Sequence, residues 1–376
     1  MMIKPLRWKI SCTIFIALLI YSNILVAQCN GFIELCSKSY NEVAYLTSHN
    51  AYSNFEDGFF LPNQNLSIPN QLELGVRALM LDIYEQEGEL LLYHSVSQLG
   101  SSYLVDILQQ IKFFMINHPN EIITLILEDY SSANSLDIAI ENVGLSSFLY
   151  SDLDNTSYWP TLQEMIDLDQ RLILFTDNNE INAPETHYYI WDFAVESNFE
   201  NISMNDFSCE FNRGEEQNDL FIFNHFLSNF QLYITNPELY LDEIQQINDP
   251  IYLSQRLSEC ILETEKFPNF IVVDFVDFGQ PNQAVEELNQ VSSTYIKESK
   301  SIFQVFPNPS EGIFFIKNDL ASSNNYLEIY NIIGVNVTTK TKINRINSNI
   351  TIDFRNLNNG TYFLRVDGYR YTIVKK

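Results

Sequence analysis

The chain is short of positive charge. Lysine and arginine number 21 against 48 aspartates and glutamates, a formal net charge of −27 over 376 residues. The shortage is uneven. Residues 1–28 hold Lys4, Arg7 and Lys9 and no acid, and residues 301–376 hold nine basic and five acidic side chains. Residues 29–300 are left with nine basic and 43 acidic groups, net −34. Such a surface repels nucleic acid and anionic membranes, and no nucleic-acid partner is expected. It also makes Arg77, Arg171 and Arg213 worth following one by one. Histidine is scarce as well: His49, His94, His118, His187 and His225 are the whole set, and residues 299–376 contain neither histidine nor cysteine. There are no long internal repeats.

What is present begins with an export signal. "MMIKPLRWKISCTIFIALLIYSNILVAQ" has a basic start, an apolar run and Ala27 at its end. It reads as a secretory signal peptide over residues 1–28, cleaved near Ala27 or Gln28. Cys12 leaves with it, and Cys29, Cys36, Cys209 and Cys260 remain. An even number in an exported chain permits two disulfides. Cys29 and Cys36 are near enough to close a short loop, with Cys209–Cys260 as the second pair, although three connectivities are open to four cysteines.

Hydrophobic content is 46%, enough for a sizeable core, and the length suits two or three domains. Residues 29–298 alternate apolar runs with helical patterns. Strand-like runs are Glu42–Thr47, Val76–Ile83, Leu90–Tyr93, Ile122–Glu128, Leu172–Thr176, Tyr188–Trp191, Leu220–Phe223 and Phe270–Phe275. Helical spacing falls at Tyr103–Asn117, Leu162–Leu168, Leu239–Ile247 and Ser254–Glu265. Continuous apolar strands between helices predict a parallel sheet covered on both faces, and about eight units predict closure into an α/β barrel. Residues 299–376 differ: short alternating segments separated by Pro307, Pro309, Gly312, Gly334 and Gly360 predict a small all-β sandwich.

Barrel chemistry belongs at the C-terminal strand ends. His49, Asp82, Glu128 and Asp274 fall there, and His94 closes "ELLLYHS". Two histidines near neutrality suit paired general acid and base work. Asn50, Asp82 and Glu128 bring oxygen atoms of the kind a hard cation such as Ca²⁺ takes. Asp274 stands inside "NFIVVDFVDF", where a buried acid needs a partner, and a histidine across the barrel would serve. His118 and His187 read as loop or cap residues, and His225 as a candidate for the barrel mouth.

Together "TSHNAYS", "QLELGVRALMLDIY", "YHS", "HPNEIITLILEDY", "WPTLQEMIDLDQRLILFTD" and "FIVVDF" resemble the phosphatidylinositol-specific phospholipase C X-domain family, in its secreted single-domain form. The resemblance implies a distorted (β/α)8 TIM-type barrel. It implies that His49 is the general base taking the inositol 2-hydroxyl proton, that His94 protonates the departing diacylglycerol oxygen, and that Asp274 orients His49. The products would be diacylglycerol and a cyclic inositol phosphate. Simple bacterial members carry an arginine where Asp82 stands here, and calcium-dependent members carry an acid. Asn50, Asp82 and Glu128 match calcium ligands, whereas Met80 replaces a further acid, and a thioether is a poor ligand for a hard cation. The expectation is weak, substrate-assisted Ca²⁺. Arg77, in "GVR", reads first as a structural salt-bridge donor, and Arg77 and Arg171 are the candidate phosphate partners. The tail segments "VFPNPSEGIFFI", "YNIIGV" and "LNNGTYFLRV" with Lys375-Lys376 resemble the type A C-terminal sorting domain of the type IX secretion system. A secreted or surface-held monomer is expected, in contact with the type IX machinery.

Two rival readings share parts of this pattern. A glycerophosphodiester phosphodiesterase would use a related barrel, but His49 is followed by Asn50 and not by the Arg-Gly of that family. A surface binding protein that kept the barrel and lost its metal would account for Met80.

Overall fold

The structure is a computed structural model that describes residues 28–94, 96–153, 159–180, 183–292, 303–318, 327–331, 336–346, 349–366 and 369–376. The expected signal peptide, apart from Gln28, lies outside the described residues. The chain divides into two units, Met1–Thr294 and Tyr295–Lys376.

The strands of the first unit, in chain order, are β1 Tyr45–Ser48, β2 Ala78–Gln86, β3 Glu89–Leu92, β4 Ser102–Tyr103, β5 Ile123–Tyr130, β6 Leu172–Thr176, β7 His187–Tyr189, β8 Ala194–Ser197, β9 Phe211–Gly214, β10 Leu220–Asn224 and β11 Phe270–Val273. The helices are α1 Ile68–Leu74, α2 Leu104–Asn117, α3 Ala133–Val143, α4 Leu162–Asp167, α5 Phe230–Thr235, α6 Pro237–Ile247, α7 Pro250–Thr264 and α8 Pro281–Ser292. Local signals set several starts. Thr161 and Glu164 form a reciprocal capping box on α4, and Asn236-Pro237 and Asp249-Pro250 place a side-chain cap before a first-turn proline.

The sheet runs β7-β6-β5-β2-β1-β11-β10-β8-β9, and every neighbour pair is parallel except β8–β9. It curls into a half-barrel. The closed barrel expected from the alternation is not what the ladders make, because no ladder joins β7 to β8 among the described residues. Only residues 190–193 connect these two strands, whereas a parallel neighbour needs a crossover of about a dozen residues.

Successive side chains divide between two apolar layers. Tyr45, Ala78, Ile126, Ile173, Phe175, Ala194, Ile222, Phe270 and Val272 pack into the inner layer. Leu46, Leu79, Leu125, Leu174, Val195, Phe221 and Ile271 pack outward with Leu72 of α1, Ile107 of α2, Leu136 of α3 and Leu257 of α7. A strand buried on both faces therefore reads as an unbroken apolar run.

Leu90–Tyr93 corrects the sequence reading. It is no barrel strand but the return arm of a hairpin on β2, with Tyr84 opposite Leu91. Glu87 and Gly88 make the two-residue turn, both at positive φ (53° and 86°), which matches the twist of a hairpin. The barrel strand missed in the sequence is β8. Cys29–Cys36 and Cys209–Cys260 are both disulfide-bonded, each with Cα atoms 5.1 Å apart.

In the second unit, β12 Phe303–Phe306, β13 Ile313–Asn318, β14 Leu327–Asn331, β15 Lys342–Ile346, β16 Asn349–Asp353, β17 Gly360–Val366 and β18 Tyr369–Lys375 form two antiparallel sheets, β12-β13-β16-β15 and β14-β17-β18. Phe314, Ile316, Ile352 and Phe354 from one side and Ile329, Leu364 and Ile373 from the other share one core.

Candidate active site

Period two continues past the apolar layer. Counting inward-facing positions to the C-terminal end of each strand reaches His49, Asp82, Glu128, Asp177, Glu196, Asn224 and Asp274. Seven strand ends thus deliver polar groups to one rim. His49, Asp82, Glu128 and Asp274 were expected there. Asp177, Glu196 and Asn224 were missed, although the same count along each strand finds them.

His49 is held from all sides. Its Nδ1 meets Asp274 Oδ1 at 2.9 Å, and Asn63 Nδ2 donates to that same oxygen at 3.2 Å. Asp274 is only 2% exposed, so it needs these partners. The ring lies flat on Phe226, with centroids 3.8 Å apart. Gln64, fully buried, donates to the carbonyls of His49 and Val273 and accepts from the Val276 amide, which locks β1 to β11 behind the histidine. Asn50 takes a left-handed backbone (φ 44°), which asparagine tolerates, and its Nδ2 reaches His49 Nε2 at 3.3 Å. Asn63, Gln64 and Phe226 were not found in the sequence, since they come from loops.

His94 arrives by the hairpin. The return arm brings it back beside Asp82, and its Nδ1 meets Asp82 Oδ2 at 3.0 Å. That hydrogen bond raises its pKa above the ordinary 6.5; partial burial opposes the rise, and the charges of Asp82, Glu128 and Asp274 add to it. Glu128, in register with Asp82, accepts from the Tyr130 hydroxyl at 2.5 Å. Tyr84 stacks between Tyr93 and Tyr130, at 4.0 and 4.7 Å, and burial with the nearby Asp82 and Glu128 pushes its phenol up to about 12.

Arg77 is the salt-bridge donor expected of it, and neither Arg77 nor Arg171 is placed as a phosphate partner. Arg77 precedes β2 and Arg171 precedes β6, so both lie at the N-terminal strand ends, away from the rim. Arg77 binds Glu121 at 2.7 Å and the Leu72 and Val76 carbonyls. Arg171, 2% exposed, binds Asp169 and the carbonyls of Met115, His118 and Glu121. Neither can meet a substrate at the opposite end. Arg213 can. Antiparallel β9 sets it opposite Glu196, whose carboxylate takes its Nε, and its guanidinium sits over Trp191 at 4.6 Å and Phe199 at 5.0 Å. Its charge reaches Asp177, whose carboxyl burial raises and Arg213 opposes. Gly214 permits this register, because a Cβ there would stand 2.1 Å from the Ala194 carbonyl oxygen.

The remaining histidines stand apart from the rim. His118 ends α2, bonded to the Phe114 carbonyl and stacked on that ring, as a cap residue. His187 begins β7, buried, and is not a loop residue. His225 does not line the mouth: it is fully buried, bonded to the Ile247 carbonyl, and burial lowers its pKa to about 4.

The calcium ligands expected from the sequence, Asn50, Asp82 and Glu128, do not fit a prepared cage. Ca²⁺ takes about six to eight oxygens. Here Asp82 gives one oxygen to His94 and Glu128 one to Tyr130. Met80 sits a layer below Asp82, opposite Ile126. Among the described residues, no group of three or more His, Cys, Asp or Glu is spaced to hold a metal.

Fold and site together define an α/β protein that gathers acid–base groups at one end of a curled parallel sheet. Residues 35–289 match the family model described as PI-PLC X, and residues 304–376 match the secretion system C-terminal sorting domain. The chain belongs to the PI-PLC X family, and its last unit is a sorting domain of the type IX system. It is similar to a PI-PLC X domain-containing protein of Arabidopsis thaliana, 29% identical over 73% of this chain and 67% of that protein. An uncharacterized secreted protein of Arthroderma benhamiae is 25% identical over 70% of this chain and 64% of its own length. The chain thus spans about two thirds of these relatives. Among solved structures, a mutant phosphatidylinositol-specific phospholipase C from Staphylococcus aureus aligns with a TM-score of 0.46 and 13% identity, over 67% of this chain and 93% of that one.

Proposed function

We propose that this protein is an exported phosphodiesterase that cleaves phosphatidylinositol-type lipids. The observation that carries the reading is the His49–Asp274 pair at a rim that also presents His94, within a PI-PLC X chain. With Asp274 accepting the Nδ1 proton, His49 Nε2 is the basic atom. It takes the proton of the inositol 2-hydroxyl as that oxygen forms a bond to phosphorus. The bond from phosphorus to the diacylglycerol oxygen breaks, and His94 Nε2 supplies that oxygen with a proton. One diester becomes a cyclic inositol phosphate and diacylglycerol, with no net gain or loss of protons. The same reading takes the curled sheet as a distorted eight-stranded barrel with its seam at β7 and β8. It takes residues 1–28 as the export signal and the sorting domain as the route across the outer membrane.

Turnover of phosphatidylinositol and of glycerophosphocholine by the mature chain tests the proposal. Release of diacylglycerol and cyclic inositol phosphate from the first, with the second untouched, is expected. Cleavage of glycerophosphocholine alone would move the protein to the rival phosphodiesterase class, and cleavage of neither would leave a binding protein.

A further inference from the structure

We propose that Cys209–Cys260 is a reducible switch: Arg256 is placed to take the Cys209 thiolate as its counter-ion, and breaking the bond loosens the edge strand that carries Arg213. The effect on turnover rests on the phosphodiesterase reading; the chemistry of the bond does not.

Arg256 is a buried cation without an anion. It lies on α7, 8% exposed, and forms no ion pair among the described residues. Its Nη1 meets Cys209 Sγ at 3.9 Å, its Nη2 donates to the Ser208 carbonyl at 3.4 Å, and its Nε has no partner. The other neighbours are rings. The guanidinium lies 5.2 Å from the Phe207 ring and 5.5 Å from that of Phe223. His225 stacks on the same two rings, and burial keeps it neutral. Glu259 and Glu263 of the same helix act on Arg256 through their field alone. A charge buried without its opposite is costly. The sulfur beside it is neutral only while the disulfide stands, and as a thiolate it would supply the missing charge.

The exchange balances with a dithiol as reductant. One thiolate of the dithiol attacks Cys260 Sγ. A mixed disulfide forms there, the Cys209–Cys260 bond breaks, and its electron pair leaves on Cys209 beside Arg256. The second thiol of the reductant loses its proton and displaces Cys260, which departs as a thiolate and takes up that proton. The reductant ends as a cyclic disulfide, and two electrons have passed to the protein. A neighbouring cation favours the thiolate, and a thiol that ionises readily leaves faster.

The fold gives this bond something to control. Cys209 stands just before β9, the last strand of the sheet, whose Asn212 and Arg213 are exposed. α7 grips the approach to β9 at three consecutive residues, the Phe207 ring, the Ser208 carbonyl and the Cys209 sulfur. Beyond them Arg213 depends on one ladder to β8 and on Glu196. Cutting the covalent tie therefore loosens its place at the rim.

Peptide mapping during treatment with dithiothreitol follows both disulfides. Arg256→Met is expected to slow reduction of Cys209–Cys260 about tenfold and to leave Cys29–Cys36 unchanged. Arg256→Lys, which keeps the charge, should stay nearer the wild type. In the reduced wild type, alkylation of Cys209 by iodoacetamide should titrate below the pKa of a free cysteine, and Arg256→Met should raise it to that value or above. The double variant Cys209→Ala/Cys260→Ala should show faster hydrogen exchange at the β9 amides and a KM for phosphatidylinositol raised about fivefold, with kcat within about twofold of the wild type. Equal reduction rates with and without Arg256, or a slowing shared by both disulfides, would overturn its role. If Arg256→Met fails to fold, a Cys209 that titrates like a free cysteine in the reduced wild type overturns it instead. Unchanged β9 exchange or an unchanged KM in the double variant would overturn the switch. If the wild type cleaves no lipid, the functional reading fails, while reduction rates, alkylation and hydrogen exchange still decide the redox chemistry and its reach to β9.

Discussion

Asp274→Asn separates charge from geometry at His49. Asp274 Oδ1 accepts from both His49 Nδ1 and Asn63 Nδ2. An asparagine amide oxygen in that place can accept both bonds, so the ring keeps its tautomer and its seat on Phe226. What disappears is the negative charge behind the imidazolium that forms when His49 takes a proton. At about 4 Å and an effective dielectric near 20, one such charge pair is worth about 4 kcal/mol. That is roughly a thousandfold in rate at about 1.36 kcal/mol per factor of ten. His49 is 21% exposed, and solvent screens part of the effect. The expected loss in kcat on phosphatidylinositol is therefore about 10²- to 10³-fold. The melting temperature should hold or rise, since a buried charge has been removed. Diacylglycerol release and thermal denaturation measure the two sides. A well-folded Asp274→Asn with less than a tenfold loss would refute the idea that this carboxylate supports the base.

Arg171→Met should cost about 3 kcal/mol in urea denaturation, because three carbonyls lose a charged donor, and it should leave KM unchanged because the residue lies at the far strand ends; a raised KM with unchanged stability would reverse that placement. Replacing Cys209 and Cys260 by alanine opens a loop of 51-residue separation, for which chain entropy predicts about 4 kcal/mol of lost stability; reduced wild type, which loses Cys29–Cys36 as well, should be destabilised at least as much, and a loss below about 1 kcal/mol in the variant would count against it. His94 contributes a pH dependence. Its pKa is raised in the folded chain, so its stabilisation is complete below its ordinary value of 6.5 and fades as pH climbs through the raised one. Relative to His94→Gln, the wild type should therefore lose stability between acidic and alkaline pH, and a gain over that window would contradict the Asp82 contact.

The amino-acid sequence by itself allowed two disulfides and left their pairing to the structure. It determined the parallel strands, the all-β tail and the placement of His49, Asp82, Glu128 and Asp274 at strand ends. These follow from local regularities: a strand covered on both faces must be apolar throughout, and its inward positions recur every second residue. Other features arose only when distant segments met. Leu90–Tyr93 has the composition of a barrel strand, and the tight turn at Glu87-Gly88 sends it antiparallel, which is what sets His94 on Asp82. Gln64, Asn63 and Phe226 reach His49 from loops that no periodicity marks. Arg213 joins the rim through the pairing of β9 with β8, a contact fixed by a glycine approach and a buried glutamate. Periodicity is a property of neighbours along the chain, whereas hydrogen bonds and ion pairs across the mouth join residues that only the curled packing of the sheet brings within about 3 Å.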